Sequence, residues 1–195
     1  VSGGHTILAH AAGYDEYRVL GQTVDDAAGE AFDKGARLLG LGYPGGPLID
    51  EHARQGDRMA VPFPRGMLNS DDYNFSFSGV KTSLAYHVKK NPGFILADVC
   101  ASYQEAIVEV LIEKTVRAAR AMNVRAVAAS GGVSCNSRFR EYLKQRCDES
   151  GLALHLAPAS LCTDNAGMIA ALAYHRLQVD PIDLAGLDIS PNLKL

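Results

Sequence analysis

The sequence has no long apolar run, no paired-cysteine motif and no excess of positive charge, and each absence excludes a class of protein. No apolar stretch reaches the roughly 20 residues that cross a membrane, and no charged-then-apolar leader opens the chain. The four cysteines form no Cys-x-x-Cys pair and no zinc spacing, so we expect reduced thiols in a cytoplasmic protein. The net charge of −3 provides no overall positive field to recruit nucleic acid.

Paired histidines are also absent. The six histidines form neither His-x-x-x-His nor His-Glu-x-x-His, so spacing alone predicts no metal centre, and the motif of a water-activating metallopeptidase is lacking. The chain of 195 residues begins at Val1 rather than at methionine. We therefore expect a fragment or a processed product.

The first half of the chain predicts a hairpin, one helix and a long irregular region. Short β-type runs flank Gly13 in residues 6–20. Thr23 followed by Asp26 fits a capping box, and the helix that it opens is expected to end at Gly40, with one apolar stripe. Residues 43–82 are rich in Pro, Gly, Ser and Asn and are interpreted as loops with short helices.

The second half predicts a layered α/β arrangement. A helix of about seven turns covers residues 95–122, and its expected place is the core rather than an interaction surface. The strands "VRAVAAS" and "LALHLAP" each precede a helix, which implies that the two strands pair in parallel. The tail beyond Asp180 is interpreted as irregular.

Two Ser-Gly-Gly turns, residues 2–4 and 130–132, each lie next to an apolar strand. A glycine pair lets backbone N–H groups approach an anion without a Cβ in the way, and a following helix adds its positive end. Either turn taken singly is more often only a tight turn. Two of them in one chain favour binding of a phosphate and of a ribose or base.

Acids recur at helical spacing on the first helix, where Asp26, Glu30 and Asp33 precede Arg37. One interpretation is a solvated face with an ion pair to Arg37. The other is a face toward a ligand, because the neighbouring residues 27–29 and 31 are small. Gly45-Gly46 followed by Asp50 repeats this combination of open backbone and acid.

Two further stretches leave alternatives open. Asp164 in "CTDNAGMIA" suits a helix N-cap better than a lone metal ligand. "FSFSGVKT" fits either a turn at a sheet edge or a loop that presents Lys81 to a phosphate.

Taken together, "SGGHT", "DDAAGEAFDK", "LGYPGGPLID", "NFSFSGVKT", "SGGVSCNSRFR" and "CTDNAGMIA" resemble, in order and spacing, the tRNA N6-adenosine threonylcarbamoyltransferase family, formerly labelled O-sialoglycoprotein endopeptidases. The resemblance implies an α/β, ribonuclease H-like fold shared with actin, sugar kinases and Hsp70-like ATPases. It implies that residues 1–195 are the C-terminal nucleotide-binding lobe, with an insertion at about 43–122 and the N-terminal lobe absent.

The resemblance also implies a reaction, transfer of threonylcarbamoyl from threonylcarbamoyl-adenylate to N6 of adenosine 37 in tRNAs that read ANN codons. No catalytic residue is assigned, and the implied metal ligand is Asp164. The metal is expected to be iron, or else zinc, and needs the absent His-x-x-x-His, so the chain alone is expected to be inactive. The residues implied to bind substrate or an ATP- or AMP-type nucleotide are Val1, Ser2, Gly3, Gly4, Asp33, Gly46, Asp50 and Asn136.

The implied partners are tRNA, a paralogous inactive subunit and a small ATPase of a bacterial modification complex, with no membrane. The cations that could contact tRNA are each more simply interpreted as solvated surface charges: Arg65, Lys81, Lys89, Lys90, Arg138 and Arg140. Two other functions remain open. One is an ATP-dependent small-molecule kinase of the same superfold, and the other is a non-catalytic assembly module.

Overall fold

The computed structural model describes residues 1–13 and 16–179 and shows a mixed α/β protein. Strands β1 (Ile7–Ala11) and β2 (Tyr17–Gln22) form an antiparallel hairpin, as predicted. Strands β3 (Ala126–Ala129) and β4 (Ala153–Leu156) pair in parallel, also as predicted. The predicted irregular tail beyond Asp180 lies outside the described residues.

Six helices accompany the strands within the described ranges. They are α1 (Ala28–Leu38), α2 (Gly45–Ala53), α3 (Ser78–Lys90), α4 (Leu96–Ala121), α5 (Ser137–Glu149) and α6 (Ala166–Val179). Helices α1 to α5 supply most of one apolar core, and α4 passes through it with both of its faces largely buried. The long helix is therefore a core element, as the sequence predicts. No helix in residues 1–13 and 16–179 combines the length and apolar character that crossing a bilayer requires.

The start of α1 differs from the prediction. Thr23 forms a β-bridge with Phe75, and its hydroxyl donates to the Asp26 carbonyl at 2.6 Å. The helix begins five residues later, where the Ala28 amide donates to the Thr6 hydroxyl at 2.9 Å. The predicted stop is confirmed, because Gly40 has φ +75° just beyond the last turn.

Helix α3 is an element that the periodicity of the sequence does not predict. It buries only Val80 and Leu84 fully, so its apolar stripe is narrow. Its first turn contains Gly79, a poor helix former. Side-chain contacts from other elements fix its start, as described below.

Candidate functional site

The first Ser-Gly-Gly turn lies against the N-terminus of α1. The Ser2 carbonyl accepts a hydrogen bond from the Gly29 amide at 3.2 Å, and the Thr6 hydroxyl accepts one from the Ala28 amide. A Cβ at Gly29 would lie 2.6 Å from the Gly3 Cα, so only glycine allows this approach. The turn and Thr6 just after it therefore satisfy two of the amides that a helix start leaves without partners.

The second Ser-Gly-Gly turn lies directly beside the first. The Val1 nitrogen donates to the Ser130 carbonyl at 2.8 Å, and the Val1 carbonyl accepts from the Val133 amide at 3.1 Å. Gly131, with φ +91°, faces the Val1 carbonyl so closely that a Cβ would collide with it. The two turns, about 130 residues apart in sequence, are thus neighbours in space.

Asp33 connects α1 to α2. Its Oδ1 accepts a hydrogen bond from the Gly45 amide at 2.7 Å, and Gly45 is buried against the α1 backbone. The next residue, Gly46, has no other group within 4 Å of its Cβ position. One carboxylate oxygen of Asp33 therefore orders the start of α2, beside an open stretch of backbone.

Asp50 connects α2 to α5. Its Oδ2 accepts from the Ser137 amide at 3.1 Å and its Oδ1 from the Ser137 hydroxyl at 2.7 Å. The preceding residue, Asn136, caps α5 by accepting from the Phe139 amide at 3.0 Å, and it donates to Gln104 of α4 at 2.6 Å. Asp50 and Asn136 are both buried.

These contacts close on themselves, and we call the closed set the polar ring. Its members are Val1, Ser2, Gly29, Asp33, Gly45, Asp50, Val133, Asn136 and Ser137. Gly3, Gly4, Gly46 and Gly132, which flank the ring, have open space at their Cβ positions. Except for Asp164, the residues predicted to bind substrate or metal all belong to the ring or to its open glycines. Their binding roles stay predictions.

Asp164 lies outside the ring, in the exposed segment before α6. Its suggested role as N-cap is wrong, because the neighbouring Asn165 accepts the cap hydrogen bond from the Met168 amide at 3.0 Å. Two residues before Asp164, the Cys162 sulfur lies 3.4 Å from the hydroxyl of Ser134, which follows the second turn. The segment that carries Asp164 is therefore held next to the ring.

Metal-ligating side chains do not assemble around Asp164. In the part of the chain that the structure describes, no three His, Cys, Asp or Glu residues are grouped closely enough to hold an ion. All four cysteines are free thiols, as predicted, and burial raises the pKa of Cys100 to about 12. The described residues by themselves do not fit a transition-metal site, which uses about three protein ligands.

The acidic residues at the start of α1 bind lysines rather than Arg37. Lys34 contacts both Asp26, at 2.8 Å, and Glu30, at 2.7 Å. Lys81 reaches Asp26 from α3 at 2.6 Å. The predicted ion pair to Arg37 is wrong, and among the predicted face residues only Asp33 belongs to the polar ring.

In "FSFSGVKT", Phe75 bridges Thr23 beside β2 and Ser78 begins α3, so the stretch is more than a turn at a sheet edge. Presentation of Lys81 to a phosphate stays a prediction. Asp25 accepts hydrogen bonds from the amides of Phe77 and Ser78 and from the hydroxyls of Ser76 and Ser78, and so it fixes the start of α3. Burial alone would raise the pKa of Asp25, but these hydrogen bonds outweigh it and hold the pKa below the ordinary 3.8. Lys81 is engaged by Asp26.

The cations proposed for tRNA contact are mostly occupied within the protein. Arg65 binds Glu109 at 2.8 Å, and Arg138 binds Glu105 through two nitrogens. Lys89 and Lys90 are exposed at the end of α3. The pattern agrees with structural and solvated charges rather than a concentrated nucleic-acid surface.

Three ring contacts depend on residues that the sequence reasoning did not single out. Thr6 accepts the Ala28 amide at the start of α1, and Gln104 accepts a hydrogen bond from the Asn136 side chain. Ser137 donates to Asp50 through both its amide and its hydroxyl. A sequence signal existed for Ser137, because it follows Asn136 at the predicted helix start. For Gln104 the only sequence signal of a functional contact was a polar residue within a largely apolar helix.

Comparison with known proteins gives one matching family. Residues 1–171 match the family model described as TsaD: tRNA N6-adenosine threonylcarbamoyltransferase. A protein of that name from Anaeromyxobacter dehalogenans (strain 2CP-1) is 54% identical over 181 residues, which cover 91% of this chain and 54% of the relative. The protein of that name from Thermotoga neapolitana is 48% identical over all 195 residues, or 60% of its own length.

The chain thus spans a little more than half the length of these curated relatives. Among solved structures, HypF from T. kodakarensis matches 73% of this chain and 18% of its own, with a TM-score of 0.51 and 20% identity. At that identity the likeness concerns the fold alone.

Proposed function

The chain belongs to the TsaD family of tRNA N6-adenosine threonylcarbamoyltransferases, and from this premise we propose that it is the adenylate-binding part of such an enzyme. The intact enzyme transfers the threonylcarbamoyl group from threonylcarbamoyl-adenylate to N6 of adenosine 37 in tRNAs that read ANN codons. In this proposal the chain is the C-terminal lobe of a two-lobe, actin-like fold, with residues 43–122 as an insertion.

The observation that carries the proposal is the polar ring with its open glycines. Residues from five separate stretches of sequence meet there through direct hydrogen bonds. Four glycines beside the ring, Gly3, Gly4, Gly46 and Gly132, have open space at their Cβ positions, so a ligand could approach the backbone there. Open glycines beside helix N-termini are the ordinary means of binding a phosphate or a nucleoside closely.

Each part of the ring has a proposed task. Residues 1–4 line the phosphate and the carbamoyl end. The donors proposed there are the amides of Gly3 and Gly4 and of the second turn, because the Val1 and Ser2 nitrogens already donate to Ser130 and His5. Asp33 receives a ribose hydroxyl, because only its Oδ1 is used by Gly45 and the side chain is half-buried. Asp50 has capacity for one further acceptor contact beside Ser137, and Asn136 lies against the adenosine.

In the proposed reaction, this chain mainly positions the adenylate and stabilises the charge on the departing phosphate. The adenosine N6 attacks the carbamoyl carbon, the bond from that carbon to the phosphate oxygen breaks, and AMP leaves with the electron pair. Backbone donors already ordered at the two turns stabilise the negative charge on the departing phosphate. No described residue is assigned as the base that receives the N6 proton.

The remaining assignments reach beyond this chain. Asp164 supplies one ligand to iron or zinc, and the other ligands come from the rest of the intact protein. We propose that the isolated chain is inactive as a transferase. The proposed partners are tRNA, a paralogous inactive subunit and a small ATPase, all in the cytoplasm.

Calorimetric titration of the 195-residue chain with AMP tests the ring. Gly46→Val fits the free chain without a clash, so we expect it to weaken AMP binding at least tenfold while stability is kept. Gly79→Val is the matched control, because Gly79 is also the second residue of a helix with open space at its Cβ position. An equal effect of the two substitutions would contradict the proposal.

A second pair of variants tests the ribose contact. Asp33→Asn keeps an oxygen for the Gly45 amide but removes the charge, and we expect weaker AMP binding. Asp98→Asn is its control, because Asp98 likewise accepts a backbone amide, from Asp57 at 2.9 Å. Turnover of acetate or sugar acceptors with ATP, in the absence of tRNA, would favour the kinase instead.

A further inference from the structure

Two of the four cysteines follow the ends of neighbouring parallel strands. Cys135 is the last residue of the short 3-10 helix Gly132–Cys135 after β3, and Cys162 comes shortly after β4. The pairing of the two strands continues past their ends, because the Ala157 amide donates to the Ala129 carbonyl at 3.2 Å. The carboxyl ends of parallel strands lie at the same edge of a sheet, so the topology brings the two cysteines to one place.

Side-chain contacts hold the two sulfurs together. The Cys162 sulfur lies 3.4 Å from the hydroxyl of Ser134, which is the residue before Cys135. The side chains of Cys135 and Cys162 also interact with each other. Arg140 donates to the Ala157 carbonyl at 2.8 Å, and its positive charge acts on both sulfurs. That charge stabilises a thiolate, the form of cysteine that reacts with disulfides.

The two thiols of this pair differ in their access to solvent. Cys135 is exposed, whereas Cys162 is buried. A reagent in solution therefore reaches the pair from the side of Cys135, and Cys162 lies behind it as a resolving thiol. The other two cysteines, Cys100 and Cys147, are fully buried members of the apolar core.

We propose that Cys135 and Cys162 form a redox site at which a low-molecular-weight disulfide, such as oxidised glutathione, closes a reversible intramolecular disulfide. One protein thiolate attacks a glutathione sulfur, the glutathione S–S bond breaks, and one glutathione leaves as a thiolate. The second protein thiolate attacks the resulting mixed disulfide at the protein sulfur and displaces the other glutathione. Two protein thiols are oxidised, one glutathione disulfide is reduced, and the two protons pass to the departing glutathione thiolates.

The disulfide ties the segment that carries Asp164 to the start of α5. Cys162 lies two residues before Asp164, and Cys135 directly precedes Asn136, the N-cap of α5. In a reducing compartment the two thiols stay free, and the bond forms only when the pool of small disulfides rises. The site thus connects the redox state of its surroundings to the segment beside the polar ring.

Incubation of the 195-residue chain with excess oxidised glutathione, followed by alkylation of the remaining thiols, tests this inference. Trypsin and a protease that cleaves after glutamate place Cys135 in the peptide 126–138 and Cys162 in the peptide 150–176. Cleavage after Glu149 separates Cys162 from Cys147. Mass spectrometry without reduction then identifies each pairing. Nucleotide, tRNA and metal are left out, so the result does not depend on the proposed function.

We expect the two peptides linked through Cys135 and Cys162 to exceed every other disulfide or adduct at least tenfold, and to separate after treatment with dithiothreitol. Cys162→Ser should instead accumulate glutathione on Cys135, because no resolving thiol remains. A glutathione adduct that persists on Cys135 of the unsubstituted chain would overturn the proposal, since Cys162 would then be out of reach. Equal oxidation of Cys100 or Cys147, or no oxidation of the pair, would also overturn it.

Discussion

Replacement of Asp50 by alanine is the most direct perturbation of the polar ring. The carboxylate is buried, with 7% of the residue exposed, and it accepts two hydrogen bonds from Ser137 at 3.1 and 2.7 Å. Its ion pair with Arg54 is long, at 3.8 Å, and the arginine side chain is 67% exposed. The two Ser137 contacts therefore carry most of the connection between α2 and α5.

The expected loss follows from these contacts. A hydrogen bond to a charged group contributes about 1.5–3 kcal/mol, and two such bonds on one residue are not fully additive. We expect Asp50→Ala to lower the free energy of unfolding by about 3 kcal/mol. Ser137→Ala removes only the hydroxyl contact and should lower the free energy of unfolding by about 1.5–2 kcal/mol. Arg54→Ala should lower it by less than about 0.5 kcal/mol.

Urea denaturation followed by far-ultraviolet circular dichroism measures all three variants and the double variant. Because Asp50 and Ser137 act through each other, Ser137→Ala should cost almost nothing once Asp50 is alanine. A loss below about 1 kcal/mol for Asp50→Ala would refute the reasoning. An unchanged cost of Ser137→Ala in the Asp50→Ala background would refute it as well.

Three further predictions concern other parts of the fold. Gly35→Ala should lower the free energy of unfolding by about 1–3 kcal/mol, because the new Cβ would lie 2.5 Å from the Tyr103 ring. Gly79→Ala should raise it by about 0.5–1 kcal/mol, because its Cβ meets no other group and alanine favours the helix. Equal effects of the two substitutions in urea denaturation would contradict this prediction. The pKa of Asp25 is lower in the folded protein than the ordinary 3.8, so its carboxylate stabilises the fold above about pH 3.8 and this contribution is lost as the pH falls through the folded-state pKa. Asp25→Asn should therefore be less stable at neutral pH, and its free energy of unfolding should fall less steeply toward acid pH. Urea denaturation at a series of pH values measures both effects. Lys114→Met should lower the free energy of unfolding, measured by urea denaturation, by about 3 kcal/mol, because the buried ammonium group donates to the Ser70 hydroxyl and the Asn74 carbonyl. A loss below about 1 kcal/mol would contradict this prediction.

Local chemistry made several elements predictable. Gly40 can take a positive φ without strain, so it marks the end of α1 in sequence and in structure. The apolar strands before residues 130 and 158, each followed by a helix, could pair only in parallel within such a unit. The family could be recognised because several glycine-rich motifs occur in one order.

Contacts between distant residues were not predictable in the same way. Thr23 had the residue type and spacing of a cap, but its bridge to Phe75 placed it outside the helix, and Thr6 supplied the cap. Helix α3 has little periodicity of its own and depends on Asp25 for its start. Lys34 rather than Arg37 met the acids because Glu30 lies one turn before Lys34, whereas Asp33, one turn before Arg37, binds the Gly45 amide.

The sequence by itself determined the hairpin, the parallel strand pair and the long core helix, and its motifs indicated the family. These properties depend on residues close together in the chain. Only the tertiary structure decided that Val1 lies beside Ser130, that Asp33 orders α2 and that Asp50 binds Ser137. A carboxylate or a glycine has the same local preferences wherever it lies, and its partner is set by how the helices pack around the shared core.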